Sequence, residues 1–335
     1  MPEALHGWLV VDKPVGLGST RAVAAVKRGL REGGYAKVKV GHGGTLDPLA
    51  SGVLPIALGE ATKLSGRMLG ADKSYEFTIR FGEETDSLDV EGRVVASSER
   101  RPSLAEVEAV LGDFTGEIEQ VPPAFSALKV EGRRAYDLAR AGTVVSLESR
   151  RATVHLLEIL PGTGRGTAGT AMEGPRLSAA SEADPFHHAP HGPPPRPGEE
   201  LDCVTLSARV SKGTYIRSLA RDIAHALDTV GHVTMLHRTR AGPFRLEQAI
   251  SLDKLGELAR ARDLEQALLP LAAGLDDIPA LPVTPDQARL LRQGQKAIGT
   301  AAKPGLHLAT DSEIPVALVE AEPEGTLRVV RGFNL

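Results

Sequence analysis

The chain has 335 residues, of which 41% are hydrophobic and 24% charged, a composition typical of a soluble globular protein with one large domain or two. The formal net charge of −4 argues weakly against a nucleic-acid partner, although residues 21–40 and 205–245 are locally basic and are typical either of phosphate-binding faces or of solvated helix faces. The single cysteine, Cys203, excludes an internal disulfide or a cysteine-based zinc site, and the absence of a leader or of a long apolar run predicts a cytoplasmic protein without a membrane partner.

The first part of the chain mixes strand and helix signals. Residues 8–11 form an apolar run that ends at a turn, which predicts a strand. Ser19 and Thr20 offer an N-cap for a helix from Arg21 to about Leu30. Apolar periodicity predicts the elements that follow, which are a Gly-rich loop over 41–48, a buried strand over 53–58, a short helix over 62–69 and an alternating strand over 74–81.

The second part continues this mixture. It predicts helices over 104–111, 133–141, 215–227, 252–258 and 263–268, and strands over 152–160 and 201–210. Because strands and helices follow no strict β-α-β repeat, we expect an α+β fold with a mixed, mainly antiparallel central sheet flanked by helices. Short strands separated by Gly and Pro turns predict a small C-terminal β-barrel module. The expected domains are therefore 1–250, a helical linker 251–278 and the module 279–335.

Residues 161–200 are dense in Gly and Pro and predict a flexible surface insertion. Its segment 164–169 matches GxGxxG, but no helix pattern follows, so dinucleotide binding is not expected. His187, His188 and His191 lack a rigid surrounding shell, so a catalytic metal site is not expected either.

Asp47 is the first candidate for chemistry. An aspartate in a Gly-rich loop before a proline is usually a turn or capping residue. Here Gly41, Gly43 and Gly44 would let the backbone pass close to a bulky ligand, and His42 offers a flat polar ring able to stack on a base.

The segment from Gly41 to Ala61 resembles the catalytic motif of the bacterial tRNA pseudouridine-55 synthases, the TruB family. Four further segments resemble family motifs in the same order along the chain, namely residues 11–14, 73–77, 121–136 and 211–217. Two departures are Gly43, where the family usually has Thr and where we expect a looser loop, and the insertion at 161–200.

This resemblance implies a pseudouridine synthase fold, a C-terminal PUA-like RNA-binding module and isomerisation of uridine 55 in the T loop of tRNA without cofactor or metal. Asp47 would be the catalytic carboxylate that attacks the sugar or the base of a flipped-out nucleotide. Arg217 would pair with Asp47, and Tyr75 would stack on the base. Without the resemblance, Arg217 is interpreted as a surface arginine and the tyrosines as core residues.

The resemblance also implies a group of substrate-binding residues. His42 would fill the gap left by the extruded base, Tyr215 would support the pocket and Leu236 would close its apolar wall. The full group is His42, Gly44, Lys73, Tyr215, Lys212, Leu236 and Lys13.

Two other functions stay open at this point. One is a tRNA-folding chaperone or RNA-binding module whose catalysis is secondary, and the other is a synthase acting on another RNA uridine. The expected partner is tRNA, bound through the T stem-loop and, by the C-terminal module, the acceptor end. We expect a monomer with no obligatory protein partner.

Overall fold

The computed structural model describes residues 4–126, 128–130, 132–143, 145, 147–161 and 200–335. Nearly all of the predicted insertion, including the GxGxxG segment and the three histidines, lies outside the described residues. The chain divides into two compact units, Met1–Lys73 with Arg238–Leu335, and Ser74–His237. The expected domain bounds at 250 and 278 stay predictions.

Within the described residues, α-helices match the predicted helices as far as residue 261, whereas the predicted helix over 263–268 is only a short 3-10 turn. The 3-10 turns lie at 59–64, 111–114, 246–248, 264–267 and 271–274, and the first two adjoin α-helices. The helices are α1 Ser19–Glu32, α2 Ser65–Gly70, α3 Leu104–Val110, α4 Ala135–Arg140, α5 Ile216–Ala226, α6 Leu252–Ala261 and α7 Pro285–Arg292. None of the helices in these ranges is both long and apolar enough to cross a bilayer.

The described strands include every strand that the sequence predicted before residue 211, and several that it did not. They are β1 Gly7–Lys13, β2 Val40–His42, β3 Ser51–Leu58, β4 Lys73–Phe81, β5 Glu83–Thr85, β6 Val94–Ser97, β7 Gly116–Gln120, β8 Lys129–Val130, β9 Arg133–Arg134, β10 Arg150–Ile159, β11 Cys203–Val210, β12 Gly231–Ala241, β13 Phe244–Arg245, β14 Ala280–Pro282, β15 Gly305–Asp311, β16 Ile314–Ala321 and β17 Leu327–Gly332.

In the first unit, β3 is the strand on which the Gly-rich loop rests. It pairs antiparallel with β1 on one side and with β2 on the other. All of β3 after its first residue is buried, because both faces of the strand are covered. The adjoining core is built around Trp8, which is fully buried and whose ring lies 5.1 Å from that of Phe244.

The C-terminal part of the first unit is a sheet with the order β14-β15-β16-β17, in which β14 runs parallel to β15 and the other pairs are antiparallel. The predicted C-terminal strands are confirmed as a four-stranded sheet, and the closure of this sheet into a β-barrel and its PUA-like character stay predictions. Helix α7 was not predicted. It begins with a capping box between Thr284 and Gln287 and has a proline in its first turn.

The second unit has the strand order β12-β4-β11-β10-β7, with β10 antiparallel to both of its neighbours. Strand β12 belongs to this unit as far as His237, and its last four residues, from Arg238, belong to the first unit. Helix α5 buries Ile216, Leu219 and Ile223, the face that its sequence predicted. Strand β12 was missed by the sequence analysis. The α+β class with helices beside a mixed, mainly antiparallel sheet is confirmed.

Candidate active site

Asp47 lies in the loop between β2 and β3, residues 43–50. Its side chain is half-buried, whereas Leu46, Leu49 and Ala50 on either side are buried. The Asp47 carbonyl accepts a hydrogen bond from the amide of Ala50 at 3.1 Å, which closes a tight turn. The loop is therefore anchored by its buried apolar residues, and Asp47 between them is only partly covered.

Ser19 holds this loop, although the sequence assigned it another role. The prediction that it caps α1 is wrong, because the helix begins at Ser19 itself and its N-cap is Gly18, without a side-chain cap. The buried Ser19 hydroxyl accepts from the amide of Leu46 at 2.8 Å and donates to the carbonyl of Leu46 at 2.9 Å. Losing both bonds would leave a buried amide unpaired, at a cost of about 1–3 kcal/mol.

His42 and Gly44 form the entry to the loop. Gly44 has a φ of +145°, a conformation that side chains rarely adopt, and its amide donates to His42 Nδ1 at 3.4 Å. Burial lowers the pKa of His42, and the nearby Arg238 guanidinium lowers it further. The ring is therefore neutral at pH 7, with Nδ1 as an acceptor.

Gly43 is buried, and its amide donates to the carbonyl of Pro55 at 2.8 Å. A methyl group at this position would lie 2.7 Å from Met68 Cβ and 3.0 Å from Met68 Cγ. Met68 of α2 therefore occupies the space in which a larger side chain would lie. The expectation of a looser loop stays a prediction.

Two buried lysines lie beneath the loop. Lys13 Nζ donates to the carbonyls of Pro14 at 2.9 Å, Leu17 at 2.7 Å and Pro48 at 3.3 Å. Burial lowers the pKa of Lys13 to about 8, although the nearby Asp47 carboxylate partly offsets this effect.

Lys73 Nζ donates to three carbonyls at the end of α2, those of Met68, Leu69 and Ala71, where a cation also interacts favourably with the helix dipole. Burial, followed by Arg238, lowers the pKa of Lys73 to about 8. The described contacts of both lysines are thus with the main chain, and their predicted contact with substrate stays a prediction.

Arg238, at the end of β12, is a third buried cation that the sequence analysis did not single out. It is 1% exposed, and its guanidinium donates to the carbonyls of Val53 at 2.8 Å, Thr45 at 3.3 Å and Gly44 at 3.3 Å. The sequence of β12 shows no regular alternation of polar and apolar residues, and nothing local marks this arginine as buried.

Arg217 lies in the first turn of α5 in the second unit. It is 4% exposed, so its interpretation as a surface arginine is wrong. Nη1 donates to Asp89 Oδ2 at 3.0 Å and to the carbonyl of Ser87 at 2.8 Å, and Nη2 donates to the carbonyl of Phe125 at 2.9 Å. This buried pair orients the guanidinium.

Asp89 was missed by the sequence analysis. Its second oxygen accepts from the Ser87 hydroxyl and from the amide of Glu91 at 3.0 Å, so the carboxylate is fixed from both sides. The segment adopts an unusual conformation, since Leu88 has a φ of +62°. No sequence signal distinguishes Asp89 from the other acidic residues around it.

The other predicted residues of the second unit lie on two strands, at the start of α5 and in a turn. Tyr75 is half-buried on β4, and Leu236 is buried on β12. Tyr215 is the residue before α5, and its amide donates to Gln120 Oε1 at 2.8 Å. Lys212 is exposed in the turn after β11.

The predicted site residues thus divide between the units. Asp47, His42, Gly44, Lys13 and Lys73 belong to the first, and Arg217, Tyr75, Tyr215, Lys212 and Leu236 to the second. The pairing of Asp47 with Arg217 stays a prediction. Among the described residues, no group of three or more His, Cys, Asp or Glu side chains is placed to hold a metal ion.

Known proteins resemble this chain along nearly its whole length. Residues 32–170 match the family description "TruB family pseudouridylate synthase (N terminal domain)", and residues 217–276 match "tRNA pseudouridylate synthase B C-terminal domain". Proteins called tRNA pseudouridine synthase B are 57% identical in Novosphingobium aromaticivorans, over 99% of this chain and 98% of the relative, and 55% identical in Zymomonas mobilis, over 99% and 97%.

A solved structure gives the same fold. A chain from an H/ACA RNP bound to a substrate RNA containing 2'-deoxyuridine aligns with a TM-score of 0.66 and 24% identity, covering 98% of this chain and 86% of the other. At this identity the likeness concerns the fold alone. The family matches and the near full-length relatives show that the chain belongs to the TruB family of pseudouridylate synthases.

Proposed function

We propose that the protein isomerises uridine 55, in the T loop of tRNA, to pseudouridine, with Asp47 as the catalytic carboxylate. The relatives that match this chain over nearly their whole length carry the name tRNA pseudouridine synthase B. The observation that carries the assignment of Asp47 is its position: a half-buried carboxylate in a loop whose neighbours are buried and hydrogen-bonded.

The reaction breaks the bond between N1 of the base and C1′ of the sugar, turns the base and joins C5 to C1′. The proton lost from C5 is balanced by the proton that N1 gains, so the isomerisation consumes no oxidant or reductant. A carboxylate close to C1′ stabilises the developing positive charge and forms a covalent intermediate, as in retaining glycosidases. Attack on the base is the alternative route for the same carboxylate.

Arg217 and Tyr75 complete the proposed chemistry. We propose that Arg217 pairs with Asp47 and keeps it ionised and oriented. The contacts of Arg217 with Asp89 and the Phe125 carbonyl support this role, because they hold the guanidinium in one orientation. Tyr75 would stack on the base, and its phenol is a candidate for taking a proton.

The target uridine lies within a folded loop and must leave its stack before Asp47 can reach it. Flipping costs a few kcal/mol, which contacts in the pocket offset. His42 is proposed to occupy the vacated space, as a neutral ring that can stack without bringing a buried charge.

The basic face of α1 is proposed to bind RNA phosphates. Arg21, Lys27, Arg28 and Arg31 are all exposed on this helix. Each phosphate contact that is lost should reduce the slope of log affinity against log salt by about 1. An Arg28→Gln variant with an unchanged slope would argue against this face.

The proposal is tested by incubating the purified protein with unmodified T stem-loop RNA, without metal or nucleotide, and analysing the bases. The Asp47→Asn variant keeps the size of the side chain but loses its negative charge. We expect it to bind the RNA with near-normal affinity and to form no pseudouridine. Near-normal turnover would remove Asp47 as the nucleophile.

The same experiment separates the alternatives. Unrelated hairpins with accessible uridines test whether another RNA is the substrate, because a T-loop enzyme should leave them unmodified. Restoration of a cellular phenotype by Asp47→Asn would favour an RNA-folding role instead. The acceptor-end contact, which the resemblance implies, is part of the proposal, and so are the monomeric state and the cytoplasmic location.

A further inference from the structure

We propose that Arg238 is a positioning residue for Asp47, acting with Ser19 to fix the main chain of residues 44–46 so that the carboxylate is held in one place. This inference rests on the proposed function of Asp47. Neither residue needs to touch the RNA, because both act through carbonyl and amide groups of the loop.

The first support is that every main-chain carbonyl of residues 44–48 accepts a hydrogen bond. These consecutive carbonyls are each bound by a donor of the first unit, as expected for a segment that has no freedom to turn its peptide planes. Arg238 donates to the carbonyl of Gly44 through Nη2 and to the carbonyl of Thr45 through Nη1, both at 3.3 Å. The carbonyl of Leu46 accepts from Ser19 Oγ at 2.9 Å, and that of Asp47 accepts from the Ala50 amide at 3.1 Å. The carbonyl of Pro48 accepts from the Gly16 amide at 2.8 Å and from Lys13 Nζ at 3.3 Å.

The second support is the way in which Arg238 itself is held. Its Nε donates to the carbonyl of Val53 in β3, the strand that follows the loop. One planar guanidinium therefore ties the carbonyls before Asp47 to the strand after it. A lysine could not reproduce this arrangement, because its ammonium is a point donor and not a planar fork.

The third support is the close approach of the two main chains. Gly52 has a φ of +97°, and a methyl group there would lie 2.3 Å from the carbonyl oxygen of Arg238. Only a glycine admits this contact, so the backbone of Arg238 is seated directly on β3. Its side chain then has a fixed origin from which to reach the loop.

The fourth support is charge. Arg238 is a buried cation, and its positive charge lowers the pKa of two nearby groups, Lys73 and His42. A buried positive charge in such a place is costly unless its donors are used, and the three carbonyls of Gly44, Thr45 and Val53 use them.

The test compares Arg238→Lys and Ser19→Ala with a control, Arg262→Met. Arg262 is in the same unit and also donates to two main-chain carbonyls, those of Gly33 and Gly34, both at 3.0 Å. It is an exposed arginine, and these partners follow the C-terminal end of α1 and are not in the Asp47 loop. Single-turnover pseudouridine formation and RNA affinity are measured for each variant, together with its urea midpoint.

We expect Arg238→Lys and Ser19→Ala to slow the single-turnover rate at least about 10-fold while the affinity for T stem-loop RNA changes less than about 2-fold. Arg262→Met should keep the rate of the parent protein, whatever its loss of stability. Ser19→Thr, which retains the hydroxyl, should recover most of the rate lost in Ser19→Ala.

A second readout does not depend on activity. Amide hydrogen exchange of the peptide covering residues 44–50 should be faster in Arg238→Lys and Ser19→Ala than in Arg262→Met. If the parent protein forms no pseudouridine, the proposed function fails while this readout still tests the loop. Unchanged exchange and unchanged rates in both variants would overturn the inference, and if Arg238→Lys does not fold, Ser19→Ala decides alone.

Discussion

Met68 is predicted to exclude any side chain larger than that of glycine at position 43. A methyl group at Gly43 would lie 2.7 Å from Met68 Cβ, whereas two such carbons prefer about 3.5–4.0 Å. Rotation of the Met68 side chain moves its Cγ but not its Cβ, which is fixed by the main chain of α2. Gly43→Ala must therefore displace α2 by about 1 Å, and overpacking of this kind costs about 1–3 kcal/mol.

A double-mutant cycle isolates this contact. Gly43→Ala, Met68→Gly and the double variant are unfolded in urea, with fluorescence of the single tryptophan, Trp8, as a signal from the buried core of the same unit. We expect Gly43→Ala to cost about 2 kcal/mol in the parent chain and close to nothing in the Met68→Gly background. Gly66→Ala is the control, because a methyl group at that position of α2 meets nothing within 4 Å and should be neutral or slightly stabilising.

Equal costs of Gly43→Ala in the two backgrounds would refute the reasoning. A stabilising effect of Gly43→Ala in the parent chain would refute it as well, since it would mean that the space at Gly43 is open.

Three further predictions concern buried charge. Asp89→Asn should lower the free energy of unfolding by about 3–5 kcal/mol, because it removes the charge of the buried carboxylate that Arg217 contacts at 3.0 Å. Asp202→Asn, which breaks the more exposed pair with Arg101, should cost about 0–1 kcal/mol in the same urea titration, and equal costs would contradict the argument. Arg217→Lys should reduce single-turnover pseudouridine formation by a factor on the order of 10 or more, because a planar fork becomes a point donor, and an unchanged rate would count against its proposed role. Burial lowers the pKa of Lys13 from 10.5 to about 8, so between these pH values the unfolded chain binds more protons than the folded chain. The free energy of unfolding of the parent protein, relative to that of Lys13→Met, should therefore rise with pH by at most about 1.4 kcal/mol per pH unit. A difference that is flat or falls over this range would show that folding does not lower the pKa of Lys13.

The sequence was informative wherever the structure depends on local pattern. The strand over 53–58, the helix over 104–111 and the loop that carries Asp47 could be predicted because alternation, apolar spacing and Gly-rich turns are properties of neighbouring residues. Helix α7 was missed although Thr284 and Gln287 have the spacing of a capping box, because the Gly and Pro turns around them favoured strands.

What the sequence could not predict is long-range pairing of polar groups. Asp89 and Arg217 are 128 residues apart in the sequence, and Ser19 and Leu46 are 27 apart. No local pattern therefore predicts which residue each of them contacts. Strand β12 was missed because the buried Arg238 is a residue type that composition places at the surface. A buried charge is recognisable only when the carbonyls that bind it are known.

The bond between Ser19 and Leu46 has a mechanical consequence for the way in which the enzyme would measure its substrate. Two hydrogen bonds tie the first turn of α1 to the loop that carries Asp47. The same helix carries the proposed phosphate contacts as far as Arg31, about 18 Å farther along its axis. An RNA that docks one residue out of register along α1 would shift by about 1.5 Å relative to the carboxylate. Helix α1 would thus discriminate between RNAs by the spacing of their phosphates, because an RNA with another backbone geometry would place its uridine at the wrong distance from Asp47.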